Sequence, residues 1–529
     1  MRQTNYILLV FSFFILGSKL EAQQNISEER VLGTMLKATE FMVENVSTNG
    51  GYVWYYMPDF SRQWGEMEAY KTMIWLQHPG TISMGHVFLD AFRVTQNEYY
   101  YKAAEKAARA IIWGQSPEGG WNYMIDFAGD RSLKQWYNTI GKNGWRLEEF
   151  QHYYGNSTFD DDVTTDAARF LLRMYLEKMD PTYKPALDKA IDFILKSQYI
   201  NGGWPQRYPL KYDFNKQGFP DYSSFYTFND DVIWENINFL MQCYLVLGQE
   251  RFLDPISRGM KFYKISQASC GAWGQQVNMK MEATSARTYE PAAFLPGATC
   301  ENALLLIKFY RLTGDKQFLE GIPKAIKWLE EVKLPIDKIE GHRTHPTFVD
   351  IKTNKPIYVH RKGSNAKYGR YYVDEDDKNL LSHYYGKGFV NLQELKDEYE
   401  KILKLSVEEV TQDSPLKPQQ FQHKVTPQSF YDLNRHIFNF KIDESKIVEV
   451  VEQLDSQNRW LSDRAFISNP YIGDGVNTET THAYATTRVG DETDTSPYPD
   501  TTNQEYISTG TYIRNMKLLI NYIQSYNNK

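Results

Sequence analysis

Cysteine is scarce in this sequence, which contains only Cys243, Cys270 and Cys300 among 529 residues. So sparse and odd-numbered a set does not build a disulfide scaffold, and it leaves one optional bridge, for which Cys270–Cys300 is the candidate pair. No group of cysteines and histidines has the spacing of a zinc site. Three histidines lie near one another without metal-site spacing and are expected to be surface or cleft residues: His342, His345 and His360.

Net positive charge and long apolar runs are also missing. The formal charge of −7 argues against a nucleic acid as partner. Beyond the N-terminus, no apolar run is long enough to span a membrane. At the N-terminus, Arg2 precedes an apolar stretch over residues 7–16, and Leu20-Glu21-Ala22 offers a weak cleavage site. We therefore expect a signal peptide over residues 1–22 and a secreted or periplasmic protein.

Aromatic residues, by contrast, are abundant. They make up 15% of the sequence, with 38 Tyr and 12 Trp, and apolar residues reach 42%. This composition supports a folded core rather than disorder. Tyrosine and tryptophan combine an apolar ring with a polar tip and suit clefts that bind sugars, with a large tyrosine-rich core as the plain alternative.

A segment with apolar residues at helical spacing recurs along the chain, and a glycine-rich break ends most copies. The unit is a helix pair of roughly 70–80 residues. We predict an all-α protein in which repeated helix pairs form an α/α toroid (barrel), with an open helical solenoid as the alternative. The copies are AAEKAARAIIWGQ (103–115) before GGW at 119–121, ALDKAIDFILKSQ (186–198) before GGW at 202–204, PISRGMKFYKISQ (255–267) before GAW at 271–273, PKAIKWL (323–329) without the turn, and LDSQNRW (454–460) as a degenerate fifth.

The tryptophans of these turns are expected to differ in role. Trp121 and Trp273 are predicted to plug their turns into the core. Trp204 is followed by the stiff, polar stretch Pro205-Gln206-Arg207-Tyr208-Pro209. Because such loops commonly carry function, the Trp204 turn is predicted to lead toward a functional site.

Two acidic loops stand in register with the repeat. TFDDDV (158–163) and TFNDDV (227–232) are 69 residues apart, so Asp161 corresponds to Asp230 and Asp162 to Asp231. Equivalent positions lie at the same end of a toroid, which places both loops at one mouth. Simple helix capping would explain a single aspartate. Crowded carboxylates repel one another unless a cation joins them, and aspartate oxygens suit calcium, so we predict a cation or substrate site.

Six segments in this order resemble the pectate lyases of polysaccharide lyase family 10, over roughly residues 155–370. The family consists of calcium-dependent enzymes with an α/α toroid, so the resemblance implies that fold and cofactor. The segments are TFDDDVTTDAARFLLRMY, GGWPQRYP, TFNDD, GAWGQQ, SARTYEP and TNKPIYVHRKGSNAKY.

The resemblance also implies roles for individual residues. Arg287, in SARTYEP, matches the catalytic arginine and would take the C5 proton of a uronate. Asp160 of the first loop and Asp230 or Asp231 of the second would hold Ca²⁺, with Asp161 as a further ligand. The implied contacts with substrate are Arg361 for a carboxylate, Trp204, Arg207 and Tyr289 along the cleft, and Arg370 as a loose substitute for a later arginine.

The expected chemistry is β-elimination, which cuts the chain without adding water and leaves an unsaturated sugar. Pectate (polygalacturonate) is the expected acidic polysaccharide partner, and the protein is expected to be a monomer. Arg361-Lys362-Gly363 stands where the family has Arg-Asp-Gly, and Asp161 stands where Asn is usual. Another uronate polymer or a modified pectin therefore stays open, as do a toroidal glycoside hydrolase and a non-catalytic glycan-binding protein.

The resemblance and the repeats together suggest the domain organisation. Residues 23–150 are predicted to be N-terminal helix pairs continuous with the toroid, and residues 151–375 the lyase-like catalytic region. Residues 376–529 are predicted to be a charged linker and a C-terminal segment that completes or caps the toroid. The last stretch, TYIRNMKLLINYIQ (511–524), is predicted to be helical.

Overall fold

Helices dominate the described part of the chain. The computed structural model describes residues 26–143, 148–210, 222–362, 370–378, 380, 384–416, 443–463, 465 and 505–527, so the expected signal peptide lies outside the described residues. The α-helices are α1 (Glu28–Phe41), α2 (Thr81–Thr95), α3 (Glu98–Trp113), α4 (Asp130–Thr139), α5 (Val163–Lys178), α6 (Lys184–Ser197), α7 (Val232–Leu247), α8 (Leu253–Ile265), α9 (Pro296–Thr313), α10 (Ile322–Glu331), α11 (Leu392–Leu403), α12 (Val407–Val410), α13 (Glu444–Glu452) and α14 (Thr509–Asn527).

Successive helices form pairs with one inner and one outer member. In α7 nearly every residue is buried, as expected of a helix surrounded by others. In α6 burial follows one face, with Ala186, Leu187, Ala190, Ile191 and Ile194 packed inward. The apolar spacing of the repeated segments therefore marks the outer helices, while the more uniformly apolar segments become the inner ones.

The ring closes where the two ends of the described chain meet. Helix α2 packs against α5, α5 against α7, and α8 against α9, while α14 packs against α1 and α2. The hydroxyl groups of Thr39 and Tyr512 lie 2.6 Å apart, and the Tyr522 hydroxyl donates to the carbonyl of Ile26. Because the last helix contacts the first, the architecture is the predicted α/α toroid and not an open solenoid.

Short antiparallel strands collect at the end of the toroid where the inner helices begin. Two-stranded ribbons join β3 to β4, β5 to β6, β7 to β8 and β10 to β14, and two four-stranded sheets have the orders β15-β16-β1-β2 and β13-β12-β11-β9. The strands are β1 (Tyr55–Tyr56), β2 (Gln63–Trp64), β3 (Met73–Trp75), β4 (Met124–Asp126), β5 (Ser157–Thr158), β6 (Arg207–Tyr208), β7 (Tyr226–Thr227), β8 (Gln276–Val277), β9 (Ala293–Phe294), β10 (His345–Pro346), β11 (Phe348–Asp350), β12 (Pro356–Lys362), β13 (Arg370–Asp374), β14 (Lys387–Gly388), β15 (Leu461–Ser462) and β16 (Tyr506–Ser508).

The tryptophan of each turn is held in the same way. Its indole N–H donates to the backbone carbonyl of the residue ten positions earlier, in the preceding outer helix. The degenerate copy at 454–460 shares this bond, which confirms it as a member of the repeat. The pairs are Trp121 to Ile111, Trp204 to Ile194, Trp273 to Tyr263 and Trp460 to Val450.

The first glycine of each turn allows a close approach to the next outer helix. Gly119, Gly202 and Gly271 have φ angles of 117°, 103° and 103°, in the left-handed region that side chains disfavour. A Cβ on Gly202 would overlap the backbone carbonyl of Arg258 in α8, and the other two turns are equally tight. Gly50 has the same environment against Lys106, which reveals a further copy of the turn at NGG (49–51).

Replacing Gly202 with alanine is expected to lower the free energy of unfolding by at least ~2 kcal/mol, because both the φ angle and the carbonyl of Arg258 oppose a side chain. Gly297→Ala in α9 is the matched control, since no atom lies near its Cβ position, and we expect it to be neutral or stabilising by ~0.5–1 kcal/mol. Urea unfolding measures both changes. Equal stabilities for the two variants would contradict this account of the turn.

Two sequence-based expectations differ from the structure. Cys243, Cys270 and Cys300 are all free, so the optional bridge is not formed. The region assigned as a charged linker contains α11, which packs against α9 and α10 and buries Leu395 and Ile402. Its charges occupy the solvent face of an amphipathic helix, which composition alone did not reveal.

Candidate functional site

The two acidic loops adopt the same unusual backbone. Each forms a single 3₁₀ turn, Asp160–Asp162 before α5 and Asn229–Asp231 before α7. The φ angles are 50° and 59° at Asp161 and Asp162, and 50° and 56° at Asp230 and Asp231, all left-handed. The matching conformations agree with the predicted register. Consecutive left-handed aspartates are costly, and such strain concentrates at functional sites.

Helix capping does not account for these aspartates. Asp162 and Asp231 occupy the N-cap positions of α5 and α7, yet neither side chain makes a capping hydrogen bond. The two turns instead pack against each other. The carboxyl groups of Asp160 and Asp230 share a hydrogen bond across this contact.

Arg287 lies among three carboxylates at this mouth. Its Nη2 atom is 2.7 Å from Oδ2 of Asp160, its Nε atom is 3.3 Å from Oε2 of Glu149, and its Nη1 atom is 3.3 Å from Oε1 of Glu290. All four side chains are buried. We call this group (Arg287, Glu149, Asp160, Glu290) the arginine–carboxylate cluster. It joins two segments, SARTYEP and TFDDDV, that lie far apart in the chain.

The turns of the repeat supply hydrogen bonds to this cluster. The residue two positions after each turn tryptophan is Tyr123, Gln206 or Gln275. The Tyr123 hydroxyl donates to Oδ2 of Asp160 at 2.6 Å, and Nε2 of Gln206 donates to Oδ1 at 2.9 Å. Gln275 donates to Glu290. Equivalent positions of three repeats thus converge on one site.

The balance of charge in the cluster shifts several pKa values. Burial disfavours the charge of Arg287, but the charges of Glu149, Glu290 and Asp160 outweigh it and raise the pKa of Arg287 well above its ordinary value. Burial would raise the pKa of Asp160, but Arg287 and the hydrogen bonds that it accepts lower it. Burial raises the pKa of Glu149 to about 7, and Arg287 opposes that rise only in part.

The pKa values of the two flanking aspartates are raised, although both residues are exposed to solvent. Partial desolvation in the crowded mouth and the charge of Asp160 raise the pKa of Asp161 to about 6, although Gln77 donates to it. Partial desolvation and the charges of Asp160 and Asp161 raise the pKa of Asp230 above its ordinary value. Negative charge here exceeds what Arg287 neutralises, and a bound cation would relieve the excess.

Asp230 and Asp231 face different neighbours. Asp230 contacts Asp160, whereas the charge of Asp231 acts on Glu301 and Tyr263. The resemblance left these two aspartates as alternatives. The geometry brings Asp230 to the cluster.

The remaining candidates are placed less directly. The Trp204 ring is fully buried, and its indole N–H donates to the carbonyl of Ile194. The Tyr289 ring is buried against Tyr371 and Tyr384. Neither ring lines an open cleft, which differs from the sequence-based expectation. Trp204 fills the core beneath its own turn, as Trp121 and Trp273 do beneath theirs. The side chains of Arg361 and Arg370 lie outside the described residues; their backbones belong to β12 and β13.

Glu149 and Glu290 were missed by the sequence analysis. Glu290 is part of SARTYEP, a segment in which only Arg287 and Tyr289 were assigned roles. Glu149 precedes the acidic loop in EEFQHYYG (148–155), a stretch with no counterpart in the other repeats. The polar residues two positions after each turn tryptophan could have been predicted as site residues. A polar side chain that recurs at the same position of successive repeats indicates that these side chains share a binding partner.

The pKa of Glu149 predicts a pH-dependent stability. The unfolded chain loses the Glu149 proton near the ordinary pKa of 4.5, whereas the folded chain keeps it up to about pH 7. The free energy of unfolding therefore falls by on the order of 3 kcal/mol as pH rises through that window. Glu149→Gln should remove this slope, whereas Glu118→Gln on the surface should keep it. Urea unfolding at several pH values tests this, and parallel curves for wild type and Glu149→Gln would contradict it.

The described residues contain no group of three or more His, Cys, Asp or Glu side chains already arranged to hold a metal ion. The donor set nevertheless fits a hard cation. Asp160, Asp161 and Asp230 offer crowded oxygens from two adjoining turns, and two of the three carboxyl groups have raised pKa values. A cation would bind there in competition with Arg287 for Asp160.

Comparison with protein families gives a match over part of the chain. Residues 126–243 match the family model described as pectic acid lyase. This match confirms the resemblance to pectate lyases and supports an enzyme of the polysaccharide lyase class. The pectic-acid-lyase segment includes Asp160, Asp230 and Glu149, while Arg287 lies beyond its end. No curated protein matches the chain.

Solved structures give weaker likenesses. A family 10 polysaccharide lyase from Cellvibrio cellulosa is 18% identical, with 66% of this chain and 95% of that chain covered and a TM-score of 0.34. A variant of the same enzyme in complex with trigalacturonic acid is 18% identical, with 52% and 86% covered and a TM-score of 0.35. An α-mannanase from Bacteroides thetaiotaomicron is 10% identical, with 96% and 98% covered and a TM-score of 0.35. TM-scores this low do not establish a shared fold. The toroidal architecture is inferred instead from the helix packing described above.

Proposed function

We propose that the protein cleaves a uronate polymer by calcium-assisted β-elimination, with Arg287 as the base and pectate as the first substrate to test. One observation carries the proposal. Arg287 contacts Asp160 at 2.7 Å, although the two residues are 127 positions apart in the chain. The pectic-acid-lyase segment thus supplies the acidic loop, and SARTYEP supplies the arginine, at a single mouth.

The reaction requires charge stabilisation more than a strong base. Removal of the C5 proton, which lies α to a carboxylate, builds enolate-like negative charge on that carboxylate. The electrons of the C5–H bond then form the C4=C5 double bond, the C4–O bond breaks, and the departing oxygen takes a proton from solvent while Arg287 keeps the C5 proton, so no water is added overall. When bound, calcium supplies positive charge for the substrate carboxylate at this step. We assign Asp160, Asp161 and Asp230 as the residues that hold it.

Arg287 must lose its proton before it can accept one. Glu149, Asp160 and Glu290 stabilise the charged guanidinium, and an arginine so held does not act as a base. Once Asp160 is engaged by a cation, it supports the charge of Arg287 less, and the pKa of Arg287 falls. Glu149 and Glu290 keep the side chain in position. We therefore expect an alkaline optimum that shifts to lower pH as calcium rises.

The partner and the location follow from the same proposal. A mouth that gathers Arg287 and a cation suits an acidic polysaccharide, and the signal peptide expected over residues 1–22 would deliver the enzyme to the periplasm or the medium. Within the described residues, no helix combines the length and apolar character that a membrane crossing needs.

The function is tested by ultraviolet absorbance of unsaturated uronide during incubation with polygalacturonate. The incubation is run with calcium, with a chelator and with Arg287→Ala. We expect absorbance to rise only with calcium and an intact Arg287. If wild type gives no signal on polygalacturonate, other uronate polymers are tested in the same way, and silence on all of them would overturn the proposal.

A glycoside hydrolase is the second candidate, and Glu149 is the observation that favours it. Its pKa of about 7 leaves it protonated over part of the neutral range, and the ionised Asp160 lies on the other side of Arg287. One protonated and one ionised carboxyl group are what an inverting or retaining hydrolase needs. Saturated products that form despite a chelator would favour this reading, and binding without product would favour a glycan-binding protein.

A further inference from the structure

Arg207 is a buried arginine that has no acidic partner in the part of the chain that the structure describes. Its side chain is 1% exposed, and its Nη1 atom donates to Oδ1 of Asn122 at 3.3 Å. Among the described residues no carboxylate lies within ion-pair distance of it, and its Nη2 atom has no hydrogen-bond partner. Its guanidinium carbon lies 4.3 Å from the ring centre of Tyr154 and 5.1 Å from that of Tyr123.

The other buried arginines of the described chain show what is unusual here. Each of them contacts at least one carboxylate: Arg169 contacts Asp166 and Glu235, Arg173 contacts Asp90, and Arg287 contacts Glu149, Asp160 and Glu290.

No carboxylate of the described residues therefore neutralises the buried charge of Arg207. The faces of tyrosine rings attract a guanidinium, but they accept no N–H bond of the kind that Nη2 lacks. A buried cation without an anion is costly, and proteins retain one chiefly where a ligand supplies the anion. A carboxylate would satisfy both charge and hydrogen bond, because it matches the planar fork of an arginine.

The position of Arg207 links it to the arginine–carboxylate cluster. The preceding residue, Gln206, donates to Asp160, and Arg207 itself pairs with Thr158, two residues before Asp160. Tyr123 stands between the two arginines, with its ring against Arg207 and its hydroxyl on Asp160. Two guanidinium groups therefore lie near Asp160, and of the two only Arg287 is paired with carboxylates of the described residues.

We propose that Arg207 binds the carboxylate of a second uronate unit, adjacent to the unit that reacts at Arg287. The inference rests on the proposed function and narrows its substrate to polymers with neighbouring acidic sugars. The Tyr154 ring covers the guanidinium, so carboxylate binding would exchange this ring contact for an ion pair. Asn122, which accepts a hydrogen bond from Nη1 of Arg207, orients the planar guanidinium group for the carboxylate.

The first experiment compares wild type with Arg207→Gln on trigalacturonate and on the trimer whose unit next to the reacting one is a methyl ester. Wild type should bind the methyl-ester trimer on the order of 30-fold more weakly than trigalacturonate. Arg207→Gln should bind the free acid about as weakly and should not distinguish the two trimers. Arg251→Gln, on the outer surface at α8, is the matched control and should behave as wild type.

A second variant keeps the test decisive if Arg207→Gln does not fold. Asn122→Asp places a carboxylate beside Arg207, so it should raise the melting temperature and weaken trigalacturonate binding at least tenfold by competing for the guanidinium. Unchanged affinity in this variant would overturn the inference. An Arg207→Gln protein that melts earlier but still discriminates against the ester would show a structural role and overturn it as well.

Calorimetric binding separates the failure of this inference from that of the proposed function. If trigalacturonate binds wild type and Arg207→Gln equally while unsaturated product forms, the lyase assignment stands and Arg207 is not a subsite. If binding depends on Arg207 and no unsaturated product forms, the carboxylate subsite stands and the lyase assignment fails.

Discussion

Arg287→Ala is expected to lower kcat for unsaturated product by about 10³-fold or more, because it removes the group that accepts the C5 proton and a positive charge near the reacting carboxylate. The change also leaves Glu149, Asp160 and Glu290 without their shared cation. Uncompensated buried charges cost ~3–5 kcal/mol, so part of the protein's stability should be lost with the activity.

The two losses can be separated through pH and through a matched control. Arg287 lowers the pKa values of Glu149 and Asp160, so the freed carboxyl groups of Arg287→Ala should take protons more readily as the pH falls, and the stability deficit should shrink while the loss of kcat persists at every pH. Arg287→Lys should recover stability in part and activity little, since an ammonium cannot span three carboxylates. Arg251→Ala, far from the cluster, should match wild type. Wild-type kcat in Arg287→Ala would exclude this residue as the base.

Asp230→Asn is expected to reduce kcat/KM at least 100-fold at low calcium and to weaken calcium binding, whereas Asp231→Asn should change both by less than about threefold. The reason is geometric. Asp230 shares a hydrogen bond with Asp160, while Asp231 faces Glu301 and Tyr263. The two substitutions are adjacent, chemically identical and in the same backbone conformation, so each controls for the other.

The measurement is a calcium titration of kcat/KM for both variants, with calcium binding followed in parallel by calorimetry. Saturating calcium should restore part of the kcat/KM of Asp230→Asn, because the asparagine side chain still offers one oxygen to the ion and the other two proposed ligands are unchanged. Equal effects of the two substitutions, or a larger effect of Asp231→Asn, would contradict the assignment of the cation to Asp160, Asp161 and Asp230.

The fold could be predicted because the sequence repeats its own turns. Gly202 and Trp204 have equivalents at Gly119 and Trp121, and each pair makes the same contact with neighbouring helices. The register of the acidic loops was predictable for the same reason. Such arguments compare equivalent positions, and they fail for segments that occur once, which is why Glu149 and the helix at 392–403 were not anticipated.

The site could be predicted only in part. That Arg287 meets Asp160 followed from the resemblance, since no repeat relates the two segments. Burial was the least predictable property. The stretch after Trp204 looked like a polar surface loop, yet Arg207 and Gln206 are buried because β6 pairs with β5 and faces Asp160. Side chains that contact one another across repeats have no signature in a single sequence.

The central claim, that chain cleavage is an elimination, is tested most directly by digestion of polygalacturonate in water enriched in heavy oxygen, with calcium present and products weighed by mass spectrometry. Elimination predicts unsaturated fragments that are lighter by one water than hydrolytic fragments and carry no heavy oxygen at the cut. Saturated fragments that carry the label would contradict the account and identify a hydrolase.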